Sequence, residues 1–209
     1  LTPYQFRRDN HAGPMLTRCM ELVAAQTYPN VRHLVMPNDY PEVIPGRWQR
    51  LALANNRLME IVPPDWGVLF IDHDIVDMSP SFITDIVGIA QSYEDEAIIA
   101  PQVIIAPAGN RYDGWFYDIG CYQNAAGQWA TNVGGVPGDL MHEPMLSVGV
   151  GMYVPPGGAR AMCRFHPEGD EIEKLSYCRD WRDAGGAIYM ARELAIQHAN
   201  LPAYGLEWH

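Results

Sequence analysis

The chain has 209 residues, with 25 Asp and Glu against 14 Lys and Arg for a formal charge of −11, and it is 48% hydrophobic and 19% charged. That composition excludes a disordered or fibrous chain and opposes broad electrostatic adhesion to nucleic acid or anionic membrane. The length fits one domain, 1–209, large enough for a core and a cleft.

The longest apolar runs, such as Val68 to Ile71 and Val103 to Ile105, fall far short of the roughly 18–20 residues of a bilayer span. No basic-then-apolar leader opens the sequence, so a cytoplasmic location is the expectation, one that an upstream targeting segment would change. Cys19, Cys121, Cys163 and Cys178 are scattered, without the spacing of a zinc ribbon or a disulfide scaffold. Each reads as a small buried apolar residue.

In chain order, Met15, Leu16, Cys19, Met20, Leu22 and Val23 recur at three- and four-residue spacing, which predicts a helix from Pro14 to Ala25. Thr27-Tyr28-Pro29-Asn30 ends it, and a strand follows over Val31 to Met36. A second helix covers Trp48 to Ile61. Gly67 to Ile71 is a continuous apolar run, as expected for a strand buried on both faces. Ser79-Pro80 opens a third helix to about Ala90, and Ala97 to Ile105 is another strand. Residues 106–147, rich in Gly, Asn, Trp and Tyr, read as a functional loop region or as short strands walling a cleft. Order returns at Val148 to Val154, then a helix from about Asp170 to Ala184 and a strand at Ala187 to Met190. Helices alternating with buried strands predict an α/β fold with a mixed, mostly parallel sheet, whose ligands lie at the carboxyl ends of the strands.

At such an end stand Asp72-His73-Asp74, two carboxylates one residue apart after a fully apolar strand. A hard divalent cation needs oxygen ligands of this kind, and by bridging a diphosphate it neutralises charge on a leaving nucleoside diphosphate. If the segment stays extended, Asp72 and Asp74 leave the strand tip together and His73 points away.

Leu16 to Asn30, with its Cys19 and its Gln-Thr-Tyr-Pro-Asn, resembles the first helix and turn of family-2 glycosyltransferases. Asn55-Asn56-Arg57, Asp72-His-Asp74-Ile and Ser79-Pro80-Ser81 resemble the corresponding stretches of GT-A enzymes, the fungal Golgi mannosyltransferases especially. The resemblance covers most of the chain outside 106–147. It implies a GT-A fold, with a donor half of about 1–105 and an acceptor half of about 106–209. It also implies transfer of a sugar from a nucleotide-diphosphate sugar to a hydroxyl, the acceptor being a glycan, a protein, a lipid-linked sugar or a modified DNA base. An inactive nucleotide- or carbohydrate-binding module and a nucleotidyltransferase are the alternatives.

Carried onto this sequence, the resemblance places Thr2-Pro3-Tyr4 and Asn38-Asp39 beside the nucleobase, although the family's usual acidic pair is replaced by Asn38-Asp39. It places the metal on Asp72, Asp74 and the late His198. An imidazole beside two carboxylates suits Mn²⁺ better than Mg²⁺. Arg57 either approaches the diphosphate or is a plain surface arginine. Trp115 either stacks on a sugar or anchors its loop. Gly149 and Gly151 either admit an acceptor close to the backbone or permit tight strand packing.

Glu168 to Cys178 resembles the acidic helix start that supplies the base of inverting members. Helical phase, taken from Ile172, Leu175 and Cys178, favours Glu171 as the inward acid, whereas the family register favours Glu173. Asp170 with Glu173 also has the spacing of a capping box.

Overall fold

A computed structural model describes residues 2–4, 12–37, 46–105, 115–116, 121–129 and 141–199. The elements run β1 (Thr2–Tyr4), α1 (Ala12–Ala24), β2 (Val35–Pro37), α2 (Arg47–Glu60), β3 (Val68–Leu69), β4 (Ile75–Met78), α3 (Phe82–Gln91) and β5 (Ala97–Ile105). They continue with β6 (Trp115–Phe116), β7 (Gln123–Asn124), β8 (His142–Ser147), β9 (Tyr153–Val154), α4 (Gly158–Met162), α5 (Glu173–Asp183) and β10 (Ala187–His198).

The main sheet has the order β3-β9-β5-β10-β8-β7, with β6 added to β5 and β4 to β10, and β1 and β2 form a separate pair. Among the described residues only β1–β2 and β5–β10 are parallel ladders. The sheet is therefore mixed, with less parallel pairing than helix–strand alternation suggests. The cause is local: the chain turns tightly after β3, Ile75 N–H donating to Asp72 C=O at 3.3 Å, and β4 leaves antiparallel to β10.

Core formation follows the apolar pattern. Phe70, Ile71, Ile98, Ile99 and Val103 are buried between α3 and the far face, where α5 contributes Tyr177, Cys178 and Trp181. Phe165 lies edge-on to Phe70 and stacks on Tyr177, with centroids 5.2 and 4.5 Å apart. All four cysteines are free and buried, as read.

The Gln-Thr-Tyr-Pro-Asn stretch earns its residues by joining elements. Gln26 donates from Nε2 to Ser79 C=O at 2.8 Å and accepts Ile83 N–H at Oε1, 2.9 Å away, which ties the end of α1 to the start of α3. Thr27 N–H donates to Pro80 C=O, and Asn30 takes a left-handed conformation at φ 64°, tolerated there because Asn is among the few residues that visit that region readily. Asn56 clamps the segment before α5 with two bonds to the Phe165 backbone, at 2.8 and 3.0 Å.

Candidate functional site

The β4–β10 ladder sets His198 opposite Ile75, next to Asp74. Ala199 N–H donates to Asp74 C=O at 2.9 Å and fixes the same juncture from the backbone side. As a result His198 Nε2 faces Asp74 Oδ1 at 3.0 Å, with the imidazole only 1% exposed. The other ring nitrogen, Nδ1, lies 2.9 Å from Ala199 C=O, so its proton donates there and Nε2 is the nitrogen aimed at the carboxylate.

Burial opposes charge on Asp74, but the facing His198, helped by His73, outweighs it and holds the carboxyl well below its ordinary range. Burial likewise opposes charge on His198, and Asp74 overcomes it, so the imidazole titrates above its ordinary value.

The turn at 72–75 sends Asp72 elsewhere. Its Oδ1 lies 3.4 Å from Lys174 Nζ, and Lys174 lies 3.5 Å from Glu173 Oε1. Asn55, on the inward face of α2, donates to Glu173 Oε1 at 3.5 Å. The Glu173 side chain is 2% exposed, and burial pushes its pKa up, Lys174 pulling against this and Asp72 adding to it. The expectation that Asp72 and Asp74 leave the strand together thus gives way to two adjacent sites with different partners.

The acidic helix is also corrected. α5 begins at Glu173, after an extended Ile172 (φ −66°, ψ 134°) that carries no side-chain cap, so no Asp170–Glu173 capping box forms. Glu171 precedes the helix, and helical phase does not reach it. Its carboxylate pairs with Arg179 at 2.8 Å and accepts Glu168 N–H at 3.2 Å. The inward acid is Glu173, where the family register had put it.

Arg57 is exposed in the last turn of α2, two residues and about 200° around the helix from inward Asn55. Gly151 (φ +79°) packs tightly: a Cβ there would come 2.7 Å from Pro101 Cγ and 2.9 Å from Ile196 Cδ1, which supports strand packing over an acceptor approach. Gly149 is buried beside it. Asn38 and Asp39 lie outside the described residues, as do the side chains of Thr2, Pro3, Tyr4 and Trp115, whose backbones form β1 and β6. Lys174 is a site residue that motif reading passed over, and Asn55, part of a resembling stretch, was given no role there.

A divalent cation suits part of this donor set. Two ligands held about 2.1 Å from an octahedral cation at a right angle lie about 3 Å apart, which is the Asp74–His198 spacing. A metal-bound histidine usually gives its other nitrogen to a carbonyl or carboxylate, as His198 Nδ1 does. Among the described residues, however, no three His, Cys, Asp or Glu side chains converge as they stand, because Asp72 is turned to Lys174.

A cavity of about 480 Å³ runs along β3, lined by Val31 to Leu34, Asp65 to Leu69, Ile71 and Tyr153, and none of Asp72, Asp74, Glu173 and His198 lines it. No helix among the described residues is long and apolar enough to cross a membrane.

No protein-family model matches the chain, and no curated protein matches its sequence. Among solved structures it resembles the crystal structure of S. aureus TarS 1–349, with a TM-score of 0.56 and 10% identity over 97% of this chain. The match spans 61% of that structure's length. The likeness shows the fold, an α/β fold of the GT-A type.

Proposed function

We propose that this chain transfers a sugar from a nucleotide-diphosphate sugar to an acceptor hydroxyl. The observation that carries the reading is the buried Asp74–His198 pair at a strand end of a GT-A fold, with a second carboxylate, Asp72, on the same turn. Asp74 and His198, joined by Asp72, would hold Mn²⁺ or Mg²⁺. A cation there supplies charge neutralisation for the departing diphosphate.

The chain's own residues do the rest. β10 presents His198 from one side of the turn and β4 fixes Asp74 from the other. Thr2, Pro3, Tyr4, Asn38 and Asp39 are the proposed contacts of the nucleobase. Trp115 is proposed to receive the acceptor.

Glu173 is the proposed base. It takes the proton from the acceptor hydroxyl as that oxygen bonds to the anomeric carbon and the bond to the diphosphate breaks. Burial raises its proton affinity in the direction a base needs, the Lys174 charge opposes that rise, and Asn55 orients one oxygen.

The decisive experiment is a screen of nucleotide-sugars with product detection, repeated in excess chelator. Release of a nucleoside diphosphate that stops with chelator is the expected result. Release of a sugar 1-phosphate with formation of a nucleoside triphosphate from added pyrophosphate marks nucleotidyl transfer, and binding without turnover marks a binding module; either outcome removes the glycosyl-transfer reading. The anomeric configuration of the product tests Glu173 directly, since retention leaves no place for a base acting on the acceptor.

A further inference from the structure

Lys174 is the sole lysine of the chain; the rest of its 14 Lys and Arg are arginines. It occupies the second position of α5, where the helix dipole opposes a positive charge. Its side chain is 7% exposed, which adds a desolvation cost. Two carboxylates offset both, and neither contact is short: 3.4 Å to Asp72 and 3.5 Å to Glu173.

Here the difference between the two basic side chains matters. A guanidinium engages one carboxylate as a planar bidentate fork, whereas an ammonium is a compact charge on a flexible stem that changes partner by rotation. Asp72 is the open member of the cluster, 28% exposed, and shares its turn with Asp74. A chain that otherwise relies on arginine has its one lysine where a counter-ion faces the carboxylate a cation would want.

We propose that Lys174 is a positioning residue that holds Asp72 in the cation-free protein and yields it to an incoming divalent cation, so that lysine and metal are alternatives at that carboxylate. This rests on the reading of Asp74 and His198 as metal ligands. The free protein then binds cations weakly, and a cation that arrives with phosphates is favoured, because the released ammonium stands beside the incoming negative charge.

The test is Mn²⁺ affinity of the full chain without nucleotide, read from the electron paramagnetic resonance of unbound Mn²⁺. Lys174→Met should bind Mn²⁺ roughly tenfold more tightly than the parent, and the gain should vanish in an Asp72→Asn background. A general loss of positive charge would persist there. Lys174→Arg should bind Mn²⁺ more weakly, its fork holding Asp72 harder. Inorganic pyrophosphate should raise Mn²⁺ affinity more in the parent than in Lys174→Met.

Equal affinities across the parent and both Lys174 variants, or a methionine effect that survives Asp72→Asn, overturn the exchange. If Lys174→Met does not fold, the arginine variant with and without Asp72→Asn decides the same question. Asp74→Asn separates the two readings: unchanged Mn²⁺ binding there overturns the ligand assignment, whereas the Lys174 and Asp72 variants judge the exchange.

Discussion

Asp72 and Asp74 stand two residues apart and are held by different kinds of structure. Asp74 is fixed by backbone: the β4–β10 ladder and the bond from Ala199 N–H leave His198 3.0 Å from its carboxylate. The Asp72 carboxylate is held by a side chain, a lysine that a second acid shares at similar distance. The first arrangement is rigid and paired before any ligand arrives, while the second can be rearranged by rotating one side chain. A motif that looks symmetric in sequence therefore divides into a fixed half and an adjustable half.

The largest expected effect tests the adjustable half. Glu173→Gln should lower transfer by roughly 10² to 10⁴ with donor binding retained, the usual scale for a general base. Glu171→Gln, which removes only a partly exposed ion pair with Arg179, should leave transfer near the parent level; the reverse ranking would return the role to Glu171.

Next, Asp74→Asn should weaken Mn²⁺ binding by about 100-fold and Asp72→Asn by about tenfold or less, measured by the same titration, on the scale of ligand and supporting contacts. Equal losses would erase the distinction between the halves.

The fixed half also predicts a pH signature in chelator. Asp74 titrates below its ordinary 3.8, so its contribution to stability is present above 3.8 and lost as pH falls through the folded value. His198 titrates above its ordinary 6.5, so its contribution is full below 6.5 and lost as pH rises through the folded value. The difference in unfolding free energy between parent and His198→Gln should therefore be largest between 3.8 and 6.5, about 3 kcal/mol for a broken buried pair. It should shrink at alkaline pH. A pH-independent difference in urea melts would show that the pair is not ionic.

The smallest effect is on the framework beneath. Gly151→Ala should cost about 2 kcal/mol through its left-handed backbone and the clash with Pro101 and Ile196. It should leave the acceptor KM unchanged; a raised KM at unchanged stability would restore an acceptor role.

Much of the framework is written in apolar spacing. α1, α2, α3 and β5 appear within about two residues of where periodicity puts them, because each buries a continuous stripe or run. β10 was legible only as far as Met190. Arg192 and Glu193 interrupt its apolar run at a register shift between Ala191 and Ala195, and the strand resumes to reach His198. A bulge of this kind leaves no periodic trace.

The site was legible in residue type and less so in direction. Asp72, Asp74 and His198 stand out as donors, but the turn that separates the two acids depends on a backbone bond between Ile75 and Asp72. The acid of α5 was misplaced by phase because a helical wheel says nothing about residues ahead of an extended Ile172. Lys174 offered no periodic or motif signal. Its rarity in the composition was the available clue.

The two halves of β10 have a consequence for biogenesis. This strand lies beside β5 along its length, meets β8 with its first half and β4 with its second, and is the last of the described elements in chain order. On the ribosome, where a chain emerges amino end first, the Asp72–Asp74 turn is made long before its partners. Lys174 reaches Asp72 across 102 residues, and His198 comes later still. The nascent polypeptide thus carries an acidic turn without its imidazole until β10 docks, and the parallel, non-local β5–β10 pairing that brings it is slow to nucleate. Acquisition of the pair reports the docking of β10.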